Sequence, residues 1–244
     1  MASVNCVFRG EFAELILDNP RYHNCMTHSM WAELEQHAHS LSQNDTVRAV
    51  IIRGQGDHFT SGFDLSELNR LDYEAVNREF ALMERAISAV EALPVPVIAL
   101  LSGYCLGGGF ELALAADLRL GDADVAMGIP VARIGIMLSR TFALRLIKVM
   151  GLGKAKEVLL TGHLIGAEEG KTLGILNAIA PDRAHLEILA HQWLKDIAGL
   201  YPRAVRQAKA AVSEVLPKTE QGHPYFVDAS DFFEAIRRFD RSQS

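Results

Sequence analysis

The sequence predicts a mixed α/β core followed by a helical C-terminal region. Short, β-branched apolar runs alternate with segments of helical periodicity over residues 1–183, which is typical of an α/β core. Residues 184–244 show helical periodicity alone. Hydrophobic residues make up 49% and charged residues 22% of the 244 residues, a balance typical of folded globular proteins. We therefore divide the chain into a core, 1–183, and a helical region, 184–244, that belongs to the same functional unit.

The core begins with strands and one helix. Residues 4–18 contain two short β-rich runs around Gly10, which predicts a hairpin. Helical spacing of apolar residues over 27–44 predicts a helix, with Thr27 as its N-cap. The run 47–54 is β-branched and ends in glycine, which predicts a buried strand.

The middle of the core repeats this alternation. Residues 58–68 are predicted as a strand, a turn and the start of a helix. Helical periodicity extends over 72–92, and Pro94 and Pro96 prevent any helix from continuing. The apolar run 95–103 then predicts a second buried strand.

The last part of the core and the C-terminal region complete the prediction. Residues 103–117 are predicted as a loop with a glycine triplet and then a helix. Two short strands are predicted within 118–128 and one more within 175–181. Three consecutive helices are predicted at 184–199, 202–216 and 225–239.

Charge and cysteine content exclude several classes of protein. The net charge of −6 argues against a general nucleic-acid-binding protein, which normally presents a basic face. Three widely spaced cysteines form neither a disulfide framework nor a zinc pattern, so we expect a reducing compartment and no bound metal. No signal peptide is visible, and the apolar stretch 97–101 is too short to span a bilayer. We therefore expect a cytoplasmic protein without a membrane partner.

One short stretch, "GYCLGGGFELALAAD", carries unusual chemistry. Gly107, Gly108 and Gly109 stand directly before a helix, where backbone N–H groups lack internal partners and the helix dipole is positive. Such a helix end suits an oxygen that becomes anionic during a reaction. Glu111 follows among apolar neighbours, and a buried carboxylate needs a partner or a function.

Three blocks resemble a known family. "HFTSGFDLSEL", "ALLSGYCLGGGFELALAAD" and "VLLTGHLIGAEEGKTLGILNAIAP" resemble signature blocks of the crotonase superfamily, the enoyl-CoA hydratase/isomerase family. The resemblance implies a crotonase-like fold of repeated ββα units, with a helical C-terminal region that completes a homotrimer or a hexamer. It also implies an acyl-CoA thioester as substrate, with coenzyme A as part of that substrate and no prosthetic group.

The resemblance assigns roles to single positions. The backbone N–H groups of Phe63 and Gly108 match the two donors that hold the thioester oxygen as it becomes an enolate, and Glu111 matches a catalytic glutamate. The implied substrate- and coenzyme-binding positions are Arg21, His23, Ser61, Gly62, Asp64, Leu65, Gly107, Val131 and Leu138.

The sequence departs from the family at two points. Val131 in "MGIPVARIG" stands where the hydratases carry their second catalytic glutamate, and valine cannot transfer a proton. Leu138 and the bulky residues after it replace a proline and several glycines, which predicts a reshaped acyl pocket. Arg145 and Leu146 match the family pattern again.

These departures leave several functions open. One glutamate can still orient water for slow hydration, or it can carry a proton between C2 and C4 in double-bond isomerisation. A decarboxylase or lyase would rely mainly on the oxyanion hole, with Arg133 or Arg140 holding a substrate carboxylate. A non-catalytic acyl-CoA-binding protein is also consistent with Val131. We interpret the sequence as an acyl-CoA-processing enzyme of the hydratase/isomerase type, with Glu111 as its single acid–base.

Overall fold

A six-stranded sheet forms the centre of the molecule. The computed structural model describes residues 2–68, 71–130 and 138–215. The strands are β1 (Ser3–Arg9), β2 (Phe12–Asp18), β3 (Ala49–Gly54), β4 (Val97–Leu101), β5 (Tyr104–Leu106), β6 (Leu118–Asp122), β7 (Ala126–Gly128) and β8 (Ala178–Ala180). The main sheet has the order β1-β2-β3-β4-β6-β8, and β5 pairs with β7 in a small separate sheet.

Helices surround the sheet. They are α1 (His28–Ser42), α2 (Leu65–Leu68), α3 (Tyr73–Glu91), α4 (Gly108–Ala115), α5 (Arg140–Thr161), α6 (Ala167–Thr172), α7 (Arg183–Ala198) and α8 (Pro202–Val215). Several begin at a side-chain N-cap, as the sequence predicts for α1, where Thr27 accepts from the N–H of Met30.

All strand pairs of the main sheet after β1–β2 are parallel. The helices that connect parallel strands cover both faces of such a sheet, so this one is buried on both sides. Alternate residues of β3 serve the two faces: Val50 and Ile52 join the larger apolar core, and Ala49 and Ile51 the smaller one. Helices α1, α3 and α4 contribute to the larger core, and α7 contributes to the smaller one. The carboxyl ends of β3, β4 and β6 therefore carry loops at one edge of a rigid sheet.

Most predicted elements are confirmed, and the differences are local. No regular strand forms within 58–68: Thr60 makes an isolated bridge with Cys105 and Phe63 makes another with Met26, and α2 begins at Leu65. Strand β5 forms inside the predicted loop, and it pairs with β7. The predicted helix 225–239 lies outside the described residues, and the division at residue 183 stays a prediction.

A buried arginine closes the C-terminal end of α4. The Arg119 side chain donates to three backbone carbonyls: Nε to Ile175 at 2.7 Å, and Nη1 to Ala116 at 2.5 Å and Ala113 at 3.4 Å. Burial lowers the pKa of Arg119 to about 10, which still leaves it positively charged at neutral pH. A cation there complements the negative end of the helix dipole, so Arg119 fixes the helix whose other end carries the glycine triplet.

Arg119→Met is expected to lower the free energy of unfolding by about 3 kcal/mol, because it leaves buried carbonyl groups without donors. For a chain of this size the unfolding midpoint should fall by about 6–12 °C. Thermal and urea denaturation measure this loss. Arg78→Met, on the exposed side of α3, is the control and should cost less than about 0.5 kcal/mol. A loss of the same small size at Arg119 would show that its hydrogen bonds do not hold α4.

Candidate active site

Two glycine-containing segments meet at the carboxyl edge of the sheet. Residues 60–65 follow β3, and residues 102–108 follow β4, its parallel neighbour. The two backbones are hydrogen-bonded, because the Leu106 N–H donates to the Thr60 carbonyl at 3.0 Å. A Cβ atom on Gly62 would lie 2.7 Å from the Leu106 carbonyl oxygen and 3.4 Å from the nitrogen of Gly108. Gly62 has a φ of +96°, a conformation that side chains disfavour. Glycine is therefore required here for both reasons.

The Phe63 N–H stands apart from its neighbours in segment 60–65. The surrounding backbone N–H groups all donate within the protein; they belong to Thr60, Ser61, Gly62 and Asp64. The Phe63 N–H has no acceptor among the residues that the structure describes. It is thus available to a ligand oxygen.

The Gly108 N–H is available for a different reason. Gly107 is the N-cap of α4, with a φ of 54° and a ψ of −125°, and it provides no side-chain cap. Gly108 is the first residue of the helix, so its N–H has no partner within it. Because segments 60–65 and 102–108 are hydrogen-bonded to each other, this N–H and that of Phe63 lie in neighbouring backbones at the positive end of a helix. That arrangement suits a carbonyl oxygen that becomes anionic.

Glycine at position 109 lets α4 approach segment 60–65. A Cβ atom there would lie 2.4 Å from Cγ2 of Thr60 and 2.9 Å from its carbonyl oxygen. The Thr60 hydroxyl accepts from the Gly62 N–H at 3.0 Å, so Thr60 cannot easily give way. Close packing of the two segments therefore explains the third glycine of the triplet.

An apolar wall stands beside these donors. The ring of Phe63 stacks on Trp31 of α1 at 6.4 Å between centroids and contacts Phe80 of α3 at 5.6 Å. A Cβ atom on Gly108 would lie 2.5 Å from Sδ of Met83 and 3.5 Å from the Trp31 ring. These side chains provide apolar surface beside the two backbone donors.

Glu111 lies one helical turn beyond Gly108 and is fully buried. Its Oε1 accepts a hydrogen bond from Nη1 of Arg145 at 2.7 Å. Arg145 comes from α5, and its side chain is only 3% exposed. The carboxylate that the sequence places among apolar neighbours is therefore balanced by a buried cation, as burial of a charge requires.

Arg145 binds two further carboxylates, both on α3. Its Nη1 donates to Glu84 at 2.7 Å, and its Nη2 and Nε donate to one oxygen of Glu91 at 2.8 and 3.0 Å. Ser88 accepts from Nη2 at 3.1 Å. Burial opposes the charge of Arg145, but Glu111, Glu84 and Glu91 outweigh it and raise the pKa of Arg145 above its ordinary value. We call these four charged residues the Arg145 cluster.

Of the Arg145 cluster, only Glu111 is among the site residues predicted from the sequence. Its members lie 54 to 61 residues apart between α3 and α5, so no local spacing links them. One signal exists in the sequence: Arg145 stands between Leu144 and Leu146, an arginine inside an apolar helical run. A buried arginine requires carboxylate or carbonyl oxygens as acceptors, and a buried glutamate such as Glu111 requires donors.

The predicted coenzyme-binding loop lies next to segment 60–65. Arg21 is exposed in a 3₁₀ turn (Pro20–Tyr22), and the His23 carbonyl accepts from the Ser61 N–H at 2.9 Å. The buried Asn24 side chain anchors the loop, because its amide donates to the carbonyls of Gln55 at 2.8 Å and His58 at 2.7 Å. The structure therefore brings Arg21 and His23 to the same edge as the glycine segments.

The remaining predicted positions are distributed around this centre. Asp64 bonds to Ser66 at the start of α2, and Leu65 is the first residue of that helix. Leu138 is half-buried against the core and precedes Ser139, whose hydroxyl lies 3.4 Å from Glu84. Val131 lies outside the described residues, and so does Arg133, so their roles stay predictions.

Comparison with known proteins places the chain in a family. The model of the enoyl-CoA hydratase/isomerase family matches residues 8–237. The chain belongs to this family. A putative enoyl-CoA hydratase/isomerase of Bacillus subtilis, YngF, is 34% identical over 205 residues, which are 84% of this chain and 78% of that protein. A probable enoyl-CoA hydratase of Mycobacterium tuberculosis, EchA17, is 34% identical over 83% of this chain and 77% of its own.

Solved structures of the family have the same fold. An enoyl-CoA hydratase/carnithine racemase from Magnetospirillum magneticum superposes with a TM-score of 0.84 at 29% identity, over 98% of this chain and 88% of that one. An enoyl-CoA hydratase from Bacillus anthracis superposes with a TM-score of 0.83 at 31% identity, over 86% of this chain and 82% of that one. The crotonase-like fold and the enzyme class expected from the three sequence blocks are confirmed. The roles of single residues stay predictions.

The described residues of this family member contain neither a metal-binding group nor a membrane-spanning helix. No three side chains of His, Cys, Asp or Glu come together there as a metal-binding group. None of the helices described is both long enough and apolar enough to cross a membrane.

The cysteines are expected to be poor nucleophiles. Burial raises the pKa of Cys6 and Cys105, and burial together with the neighbouring Asp64 raises the pKa of Cys25 to about 12. Because the thiolate is the reactive form, the native protein should react slowly with Ellman's reagent at about pH 8, and all three thiols should react after denaturation. One thiol reacting within seconds in the native protein would contradict this.

Proposed function

We propose that this protein moves a double bond in enoyl-CoA thioesters, with Glu111 as its single acid–base. The observation that supports the proposal best is the pair of backbone N–H groups, Phe63 and Gly108, beside one buried carboxylate. Two preorganised donors suit the thioester oxygen as it takes negative charge, and removal of one such donor typically costs about 3–4 kcal/mol of transition-state stabilisation.

The proposed reaction needs one proton carrier. Glu111 removes a proton from C2 of a 3-enoyl-CoA, and the electron pair moves into the thioester carbonyl to give a dienolate held by the two N–H groups. The same carboxyl group returns the proton to C4, so the double bond moves from C3–C4 to C2–C3. No oxidant, water or prosthetic group is consumed, and coenzyme A enters only as part of the substrate.

The Arg145 cluster supports a base that starts the cycle ionised. The 2.7 Å contact with Arg145 favours the carboxylate form of Glu111 in the resting enzyme. A general acid for the first step would need the protonated form. Proton removal therefore comes first, as isomerisation requires.

Hydration of a 2-enoyl-CoA is the second candidate, because relatives at 34% identity carry the name of enoyl-CoA hydratase. It would require Glu111 both to deprotonate water at C3 and to deliver a proton to C2, since Val131 cannot share the task. A decarboxylase would need no proton carrier of this kind, and neither would a non-catalytic acyl-CoA-binding protein.

Product analysis distinguishes these functions. The protein is incubated with a short 3-enoyl-CoA, a 2-enoyl-CoA and a malonyl-type CoA, and products are separated by chromatography and weighed by mass spectrometry. We expect an isomer of unchanged mass from the 3-enoyl ester. A gain of water from the 2-enoyl ester would establish hydration, and loss of carbon dioxide would establish decarboxylation. Binding without any conversion would favour an acyl-CoA-binding protein or an enzyme that acts on another acyl group.

We also propose that the chain assembles into a homotrimer or a pair of trimers. Helix α8 packs through Val205, Arg206 and Lys209 but leaves Tyr201, Val212 and Val215 exposed by 86%, 68% and 85%. Several exposed apolar side chains on one helix are typical of an interface. Light scattering after size-exclusion chromatography should give about three or six times the chain mass of 26.8 kDa; a monomer would contradict the proposal.

A further inference from the structure

The contacts around Arg145 raise a question that the proposed reaction leaves open. A carboxylate paired with a buried arginine binds protons weakly, which makes it a poor base for a carbon acid. Glu111 nevertheless has to accept a proton from C2 in the proposed cycle. Something in the structure has to limit the pull of Arg145 on Glu111.

Two carboxylates on α3 compete for the same guanidinium. Glu84 shares Nη1 with Glu111 at an equal distance of 2.7 Å, and Glu91 occupies Nη2 and Nε. Three carboxylates therefore surround one cation, so the ionised cluster carries a charge of about −2. We propose that Glu84 and Glu91 tune the proton affinity of Glu111 through the guanidinium that all three share. The inference rests on the proposed function, in which Glu111 is the base.

Two other described elements beside α4 carry a polar side chain that contacts the backbone of this helix. From β5, Cys105 donates through its thiol to the Gly109 carbonyl at 3.7 Å, and burial keeps that thiol protonated. From β6, Arg119 binds the carbonyl groups at the far end of the helix. From α5, Arg145 donates to Glu111, and from α3, Glu84 and Glu91 accept from that same guanidinium.

The direction of each effect follows from charge. Neutralising Glu91 or Glu84 removes a negative neighbour of Glu111 and leaves more of the Arg145 charge for it, so Glu111 binds protons less tightly. Neutralising Arg145 removes the cation and leaves like charges together, so Glu111 binds protons more tightly. Glu84 and Glu91 are therefore positioning residues that act through Arg145, and their effect has the opposite sign to that of Arg145.

The experiment measures the acidic limb of kcat/KM against pH for the 3-enoyl-CoA ester, because a base is active only when deprotonated. Glu84→Gln and Glu91→Gln should each move this limb to lower pH by about half a unit to one unit, the smaller shift belonging to the more exposed Glu91. Arg145→Met should move it to higher pH. Arg145→Lys keeps the charge and should leave the limb between wild type and Arg145→Met.

Matched controls separate tuning from simple damage. Glu35→Gln removes the carboxylate partner of a different arginine, Arg85 of α3, which pairs with Glu35 at 3.2 Å outside the cluster. The acidic limb of this variant should stay in place. Glu91→Asp keeps the charge and should restore most of the wild-type profile. Limbs that do not move in Glu84→Gln and Glu91→Gln, or that move upward, would overturn the proposal even if kcat falls.

Failure of the proposed function gives a different result. In that case wild type converts no enoyl-CoA ester, and tuning is measured instead by carbon-13 NMR titration of labelled glutamate carboxyls. The Glu111 signal is assigned from its disappearance in Glu111→Gln. A lower titration midpoint for Glu111 in Glu91→Gln, and a higher one in Arg145→Met, would support tuning without catalysis. An unchanged midpoint in both would overturn it.

Discussion

Glu111→Gln is expected to lower kcat by about 10²–10⁴-fold, the range that a positioned proton carrier supplies. Glutamine has the same shape, and its oxygen can still accept from Arg145, but it cannot take a proton from C2. The Kd for a non-reacting acyl-CoA ester should change by less than about threefold, because Glu111 is not expected to bind the coenzyme. Steady-state kinetics and calorimetric titration measure the two quantities.

The same variant separates catalysis from support of the fold. Arg145 retains Glu84 and Glu91 in Glu111→Gln, so the unfolding midpoint should fall by less than about 4 °C. Glu35→Gln, at a glutamate paired with Arg85, is the activity control and should keep the wild-type kcat. Wild-type turnover in Glu111→Gln would show that Glu111 serves only as a partner for Arg145. Parallel losses of turnover, affinity and stability would show a structural role.

Local physics explains what the sequence predicts correctly. The helix at α1 follows from apolar spacing and a Thr27 cap, and both signals lie within one stretch of chain. Strands β3 and β4 are β-branched runs with turn residues at their ends, and parallel pairing buries both faces of each. The glycine triplet predicts an open helix end because a missing side chain is itself a local feature.

Contacts between distant elements explain what the sequence does not predict. Strand β5 pairs with β7, and its three residues have no pattern that predicts a strand alone, whereas β7 lies in a run predicted as strand. The Arg145 cluster depends on how α3 and α5 cross α4, which spacing along the chain does not determine. A charged residue within an apolar run indicates that it has a partner in the folded protein. Only the fold shows which residue that partner is.

Gly62→Ala is expected to lower kcat/KM by about 10²–10³-fold, the typical cost of losing one oxyanion donor. The added Cβ atom would lie 2.7 Å from the Leu106 carbonyl oxygen, closer than such atoms can approach. Relief of that clash must push segment 60–65 away from residues 106–108, which separates the N–H groups of Phe63 and Gly108. A transition-state contact is lost, so kcat should fall more than the affinity for the coenzyme.

Gly174→Ala is the matched control for the backbone strain at Gly62. Gly174 also has a positive φ, +75°, but a Cβ atom there would meet nothing within 4 Å. Both variants should lose about 1–3 kcal/mol of stability from the left-handed backbone. Only Gly62→Ala should lose activity, because only its Cβ atom separates the two donors. Equal activity in the two variants would mean that the contact between Gly62 and Gly108 does not position the oxyanion hole, and the thioester oxygen would then have to be bound elsewhere.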